Sequence, residues 1–205
     1  MKYLKKFENK EPVKKVEYYD NGNIKSRRQH REDGPAVEEW YEDGQKEEEK
    51  YFLNNKIHRE DGPAYQKWDY YGQKTEEWYC INGEYHREDG PSIIHWYANG
   101  NNYIEKYYIN DKKHRDDGPA EIWFYYNEIY YQQIYYINDK KHREDGPAVQ
   151  EWYESGNEKI VKYYLKEVEY DREDWLEKLK EMKSSHYKEQ QMLYNMEKNI
   201  KKYNL

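Results

Sequence analysis

Apolar and aromatic positions return along this chain every 28 residues in short runs, separated by polar stretches rich in Gly, Pro, Asn and Asp. One set of runs ends at Trp40, Trp68, Trp96, Phe124 and Trp152. A second set ends in Tyr51-Phe52-Leu53, Tyr79-Cys80-Ile81, Tyr107-Tyr108-Ile109, Tyr135-Tyr136-Ile137 and Tyr163-Tyr164-Leu165. Between them lie the turn pairs Asp43-Gly44, Tyr71-Gly72, Asn99-Gly100, Asn127-Glu128 and Ser155-Gly156. β-prone runs joined by Asp-Gly or Asn-Gly are a hairpin signal, because these residues accept the positive φ of a tight turn. The fourth copy lacks the Gly, so a looser turn resting on Asn127 is expected there.

Each copy therefore reads as strand, turn, strand and connector, and tandem copies at one period predict a repeat protein. The fold class expected is mainly β: an elongated single-layer antiparallel β-meander of tandem 28-residue hairpin repeats with a C-terminal amphipathic α-helix. The expected organisation is an N-terminal tail over residues 1–12, a hairpin array over 13–170, and a helical cap or arm over 171–205. The array holds about five full repeats and a shortened one spanning 16–25. In the last segment positions 175, 179, 182, 186, 189, 193, 196, 200 and 203 form a helical stripe, from Trp175 to Tyr203, with a polar break at His186 and Glu189. Ser184-Ser185 at that break predict a kink or two shorter helices. A helix of this length runs roughly 45 Å, and about eleven strands make a sheet roughly 50 Å wide. The helix is therefore expected to lie across the core face, with a dimerising coiled-coil arm over residues 175–203 as the alternative.

Alternation assigns the faces. A two-residue turn at Asp43-Gly44 would set Trp40 opposite Glu47 and Ala36 opposite Tyr51, gathering Ala36, Trp40, Tyr51 and Leu53 on a core side. The other side would carry Val37, Tyr41, Phe52 and Ile93 among Glu39, Lys46, Glu48 and Lys50. It would also carry Tyr97, Tyr108, Tyr125, Tyr136, Tyr153 and Tyr164, the expected partner-binding anchors, although Tyr at strand positions also satisfies β-propensity.

The connector His-Arg-Glu-Asp-Gly-Pro begins at His30, His58, His86, His114 and His142, with Asp116 replacing Glu in the fourth copy. A motif copied at one period serves as a joint, since an active site needs a single convergence of groups. The structural connector residues are His30, Asp33 and Gly34; His58, Asp61 and Gly62; His86, Asp89 and Gly90; His114, Asp117 and Gly118; and His142, Asp145 and Gly146. Asp is expected to cap the turn, Gly to adopt a backbone angle other residues resist, and Pro to open the next strand. Arg and His would tie neighbouring connectors together. Successive imidazoles would lie about 10 Å apart, whereas zinc ligands lie about 2 Å from the metal, so neither a metal site nor a cofactor is expected. No hydroxyl or thiol sits in a nucleophile-elbow pattern and no glycine-rich phosphate loop is present, so no catalytic residues and no enzyme activity are expected.

Composition narrows the partner. Aromatic residues make up 18% of the chain, which suits a single-layer sheet that must bury area without a second sheet. No apolar stretch is long enough to span a membrane, and the first residues lack the apolar core of a signal peptide. Cys80 is the lone cysteine, so a reducing, cytoplasmic setting is expected, in bacteria or an infected host. The first thirty residues hold nine Lys and Arg against four Asp and Glu, and the last thirty-five hold eight against seven. With a net charge of −7, the remainder carries −13. Such an array repels phosphate backbones and anionic membranes and attracts a basic surface, including that of a nucleic-acid-processing enzyme.

The units Tyr18-Tyr19-Asp20-Asn21-Gly22, Trp40-Tyr41-Glu42-Asp43-Gly44 and Trp152-Tyr153-Glu154-Ser155-Gly156 resemble MORN-type repeats, particularly the variant of bacterial antitoxin-like proteins. The connector is similar to repeats in proteins of large DNA viruses and AT-rich bacteria. The resemblance covers roughly residues 13 to 170 and implies an elongated protein-binding scaffold; the longer period and the connector depart from ordinary MORN repeats. The expected function is a non-catalytic inhibitor that occludes a protein partner, of antitoxin, immunity or virus-encoded anti-defence type, through an acidic, Tyr-rich sheet face. The alternative is a structural or scaffold protein that self-associates through its helix or sheet edges.

Overall fold

Each 28-residue unit folds as two hairpins rather than one. The computed structural model of the chain describes residues 15–28 and 34–203. In the third copy a long hairpin pairs Ile93–Trp96 with Asn102–Lys106, and a short one pairs Tyr108–Ile109 with Lys112–Lys113. The split falls at the first Tyr of each Tyr-rich run. There the N–H groups of Tyr51, Tyr79, Tyr107 and Tyr135 donate to the carbonyls of Ala64, Ser92, Ala120 and Ala148 in the following repeat, each at 2.8 Å, and the chain leaves the long strand. Asn54-Asn55, Asn82-Gly83, Asn110-Asp111 and Asn138-Asp139 then reverse it with both φ angles positive, the geometry of a two-residue primed turn. The expected run of the second strand through Leu53 and its counterparts is thus replaced by a second turn.

The long hairpin's turn also differs from a two-residue one. Gly44 N–H donates to Tyr41 O at 2.9 Å, Tyr41 N–H donates to Gln45 O at 2.8 Å, and Asp43 Oδ1 accepts Gln45 N–H at 3.0 Å. A turn closed by a left-handed glycine brings a β-bulge with it, so Trp40 faces Lys46 instead of Glu47 and Lys46 changes sides. The fourth copy keeps the same backbone bonds, with Glu128 at φ +66° in the glycine's place. Its turn is strained, not loosened.

Among the described residues thirteen strands form one antiparallel meander, with Lys15–Tyr18 at one edge and Val168–Tyr170 at the other, and the sheet does not close into a barrel. Cross-strand registers align Tyr65, Trp78 and Ile93 in one row, and Glu76, His95, Ile104 and Trp123 in a second row on the same face. Glu38, Glu49, Gln66, Glu77, Ile94, Glu105 and Ile122 form the row between them, on the opposite face.

Connectors roof that opposite face. The guanidinium groups of Arg59, Arg87, Arg115 and Arg143 lie 4.1, 3.9, 4.0 and 3.9 Å from the ring centroids of Tyr51, Tyr79, Tyr107 and Tyr135. Ala64, Ser92, Ala120 and Ala148 are fully buried on this side. The connector glycine completes the sandwich: a Cβ on Gly62, Gly90, Gly118 or Gly146 would stand 3.2, 3.0, 3.0 or 3.2 Å from the arginine Cζ. None of these four glycines has a positive φ, so what the position requires is space, not the unusual backbone angle expected of it.

After the last repeat no arginine among the described residues stands over Tyr163. The helix Arg172–Tyr203 supplies Trp175 instead, its ring 4.9 Å from that of Tyr163 and its indole N–H donating to Arg143 O at 3.3 Å. Asp171 caps the helix by accepting Asp174 N–H at 2.8 Å. Leu179 and Met182 extend the contact to Leu165 and Tyr170, and Leu165 is 3% exposed where its counterpart Leu53 is 40% exposed. Past Met182 the side chains of Tyr187, Met192, Leu193 and Met196 are exposed. The helix thus docks on the expected side but caps one repeat and does not cross the face, since connectors already roof the earlier repeats. It also runs unbroken through Ser184-Ser185.

Candidate interaction surfaces

The connector margin is built from repeated side-chain bonds. Of its predicted residues, His30 and Asp33 lie outside the described residues, and Gly34 is half-buried. His58, His86, His114 and His142 accept, at Nδ1, the N–H of Asn82, Asn110, Asn138 and Lys166 in the next short hairpin, at 3.0, 3.2, 3.3 and 3.2 Å. Each neutral ring therefore carries its proton on Nε2, which faces Glu60, Glu88, Asp116 or Glu144 at 3.7, 3.8, 3.2 or 3.4 Å. Histidine thus joins neighbouring repeats. Arginine locks its own loop: Arg59, Arg87, Arg115 and Arg143 donate from Nε to Asp61, Asp89, Asp117 and Asp145 at 2.8, 2.8, 2.8 and 2.6 Å. These bonds hold all four aspartate carboxyls below the usual range. The aspartates were expected to cap the backbone turn; they anchor the guanidinium.

Between successive connectors lie grooves. One of about 710 Å³ is lined by Glu88, Asp89, Tyr107, Ile109, His114 and Asp117, and the next, of about 440 Å³, lies between Arg115 and Arg143. Among the described residues no three His, Cys, Asp or Glu side chains are gathered to hold a metal ion. Cys80 is buried, and burial pushes its thiol up to about 12.

The other sheet face is aromatic, and the short hairpins border it, with Tyr85 against Trp78 and Lys113 on Glu121. One chain of rings runs Tyr65, Trp78, Tyr85, Tyr108 with centroid spacings of 4.3, 5.8 and 5.4 Å. A second runs Tyr126, Tyr97, Tyr103, Trp123, Tyr131, Tyr125 at 5.2, 4.8, 5.6, 5.9 and 5.3 Å. The six tyrosines expected as anchors fall into four situations. Tyr97 and Tyr125 donate their hydroxyls to Phe124 O and Trp152 O of the next repeat at 3.0 and 3.1 Å, as Tyr19 and Tyr41 do to Trp40 O and Trp68 O. They are staples between repeats. Tyr108 and Tyr136 are half-buried at the start of the short hairpins, where burial pushes their phenols up to about 12. Tyr164 is buried, and its hydrogen bond to Glu169, with burial second, pushes it to about 12. Tyr153 is 53% exposed, since no repeat follows to receive its hydroxyl.

Exposed aromatics gather at the turn margin instead, at Tyr70, Tyr71, Tyr126 and Tyr130. Their signal lay in a departure from the repeat: the second turn position holds Glu42, Tyr70, Ala98, Tyr126 and Glu154. Charge separates from the aromatic face as well. There Glu48 pairs with Lys50 at 2.5 Å, and Glu76 accepts the Trp78 indole N–H at 2.7 Å. Burial raises the Glu121 carboxyl, but hydrogen bonds from Lys113 and Trp123 outweigh it and hold the group below its ordinary value. Exposed acid lines both margins, in Glu60-Asp61, Glu88-Asp89, Asp116-Asp117 and Glu144-Asp145 at the connectors and in Glu42-Asp43, Glu128 and Glu154 at the turns. An acidic, Tyr-rich single face thus resolves into an aromatic face with balanced ion pairs and an acidic rim.

Comparison with family models, with curated proteins and with solved structures found no match to this chain. No helix among the described residues is long and apolar enough to cross a membrane.

Proposed function

We propose that this chain is a non-catalytic, MORN-like protein-binding repeat protein that inhibits a partner by occluding it, as antitoxins, immunity proteins and virus-encoded anti-defence proteins do. The observation that carries this reading is the aromatic face left uncovered by the helix, with exposed Tyr70, Tyr71, Tyr126 and Tyr130 at one margin and exposed carboxylates at both. Tyrosine and tryptophan give a binding face apolar area with polar tips, and an acidic rim draws a basic partner and sets its orientation. The test is affinity capture of the tagged chain from nuclease-treated lysate, followed by titration of the captured protein. A stoichiometric partner, released by salt and weakened at least tenfold by Tyr126→Ala with Tyr130→Ala, supports the reading; a partner unaffected by both salt and these substitutions sinks it.

A second reading, a self-associating structural protein, is favoured by exposed Tyr187, Met192, Leu193 and Met196 on the distal helix. A monomeric mass at all concentrations excludes it.

A further inference from the structure

The two edges of the sheet match one another. Every internal junction is built alike: the second strand of one long hairpin pairs with the first strand of the next. Between the fourth and fifth copies Gln132 faces Glu151, Gln133 faces Gln150 and Ile134 faces Val149, while the Tyr125 hydroxyl donates to Trp152 O at 3.1 Å. At the C-terminal edge the donating half of this junction is present. Strand Glu158–Leu165 pairs with Val149–Trp152 on its inner side, but on its outer side Val168–Tyr170 covers only Tyr163, Tyr164 and Leu165, because the chain turns into the helix at Arg172. Among the described residues no strand pairs with the outer side of residues 160–162. Lys162 O accepts Ala148 N–H on the inner side, so alternation along an antiparallel ladder turns the N–H and C=O of Val161 outward. Tyr153, the counterpart of Tyr125, is exposed beside it.

The receiving half lies at the other edge. Lys15–Tyr18 is the counterpart of Val149–Trp152: Lys15 faces Arg28 and Val16 faces Arg27, as Val149 faces Lys162 and Gln150 faces Val161. Its outer side is also unpaired among the described residues, and Tyr18 is exposed.

We infer that the chain assembles head to tail, strand Lys15–Tyr18 of one copy adding to the 160–162 edge of another. The internal register sets the pairs: Val161 with Val16, Ile160 with Glu17, Lys162 with Lys15, and the Tyr153 hydroxyl on Tyr18 O. The two apposed lysines each hold a carboxylate already, Lys15 with Glu17 at 2.7 Å and Lys162 with Glu169 at 3.3 Å. Each copy contributes a different edge, so the contact is heterologous and propagates until it closes or is capped. The inference does not rest on the partner-binding reading; joined copies would lengthen either a binding platform or a scaffold.

Proline at an edge position removes the outward N–H that the joint needs, and edge strands tolerate it. In sedimentation velocity of the full chain, the mass is expected to rise with concentration in multiples of the monomer. Val161→Pro and Val16→Pro should each be monomeric, yet an equimolar mixture should form a one-to-one dimer, because each variant retains the edge the other lacks. Leu193→Glu with Met196→Glu should leave assembly intact, and Tyr153→Phe, which needs no change in the fold, should weaken it several-fold. A monomeric wild type, a mixture of folded proline variants that stays monomeric, assembly abolished by the helix substitutions, or an association constant indifferent to Tyr153→Phe overturns the assignment.

Discussion

At the scale of the residue, the left-handed turn positions are where the array stores strain. Five hairpin turns place Gly22, Gly44, Gly72, Gly100 and Gly156 at φ between +78° and +92°, and the fourth copy places Glu128 at +66°. A side chain there costs about 1 kcal/mol relative to glycine, so Glu128→Gly should stabilise the protein by about that amount, read as a higher urea midpoint. The connector aspartates carry a pH dependence. Asp61, Asp89, Asp117 and Asp145 are depressed by their arginine bonds. A carboxyl whose folded pKa lies below its unfolded one contributes stability above the unfolded value and loses it as pH falls through the folded one. Unfolding midpoints should therefore hold steady from neutrality down to about pH 4 and fall below it; midpoints that are flat to pH 2 would contradict the arginine clamp. The glycine beside each clamp had no local signature: a Gly before Pro reads as a turn, and only the guanidinium against Gly90 or Gly118 reveals the need for space.

At the scale of the element, the helix acts as a cap whose energy is concentrated in its first turns. Trp175 replaces the missing arginine over Tyr163, and Leu179 and Met182 close over Leu165 and Tyr170. Trp175→Ala should cost about 3–5 kcal/mol of the C-terminal unit's stability. Hydrogen exchange should then show residues 158–182 losing protection while the second and third repeats keep theirs. The stripe from Trp175 to Tyr203 was legible in the sequence as a helix, but its length could not say where packing stops. The short hairpins were legible in principle, through Asn82-Gly83, Asn110-Asp111 and Asn138-Asp139. They were obscured because Tyr107-Tyr108-Ile109 is β-prone without interruption, and the bond that breaks the strand, Tyr107 N–H to Ala120 O, is made to the next repeat.

At the scale of the whole molecule, each repeat bonds mainly to its two neighbours, so stability approximates a sum of unit and junction contributions. Excising residues 87–114, one full period from Arg87 to His114, should leave a folded sheet of lower stability. It would join His86 to Arg115 and so restore an intact His-Arg connector. Removing half that length should abolish cooperative unfolding, because it would set strands against connectors and interrupt the tyrosine staples. Circular dichroism melts of the two deletions distinguish these outcomes.

What the sequence determined by itself is local or periodic: the 28-residue unit, the long hairpin with its glycine-bearing turn, and the C-terminal helix. Each follows from backbone angles or side-chain alternation within a few residues. Tertiary structure decided whatever depends on a partner 24 to 32 residues away: Asn82 on His58, the Tyr97 hydroxyl on Phe124, and Trp175 on Arg143. Those bonds settle which tyrosines are staples and which stay at the surface, and why Tyr153, with no repeat beyond it, stands at an open edge. The physical reason is that every repeat is completed by its neighbour, so the chain's chemistry is set within a unit and its exposed surface is set between units.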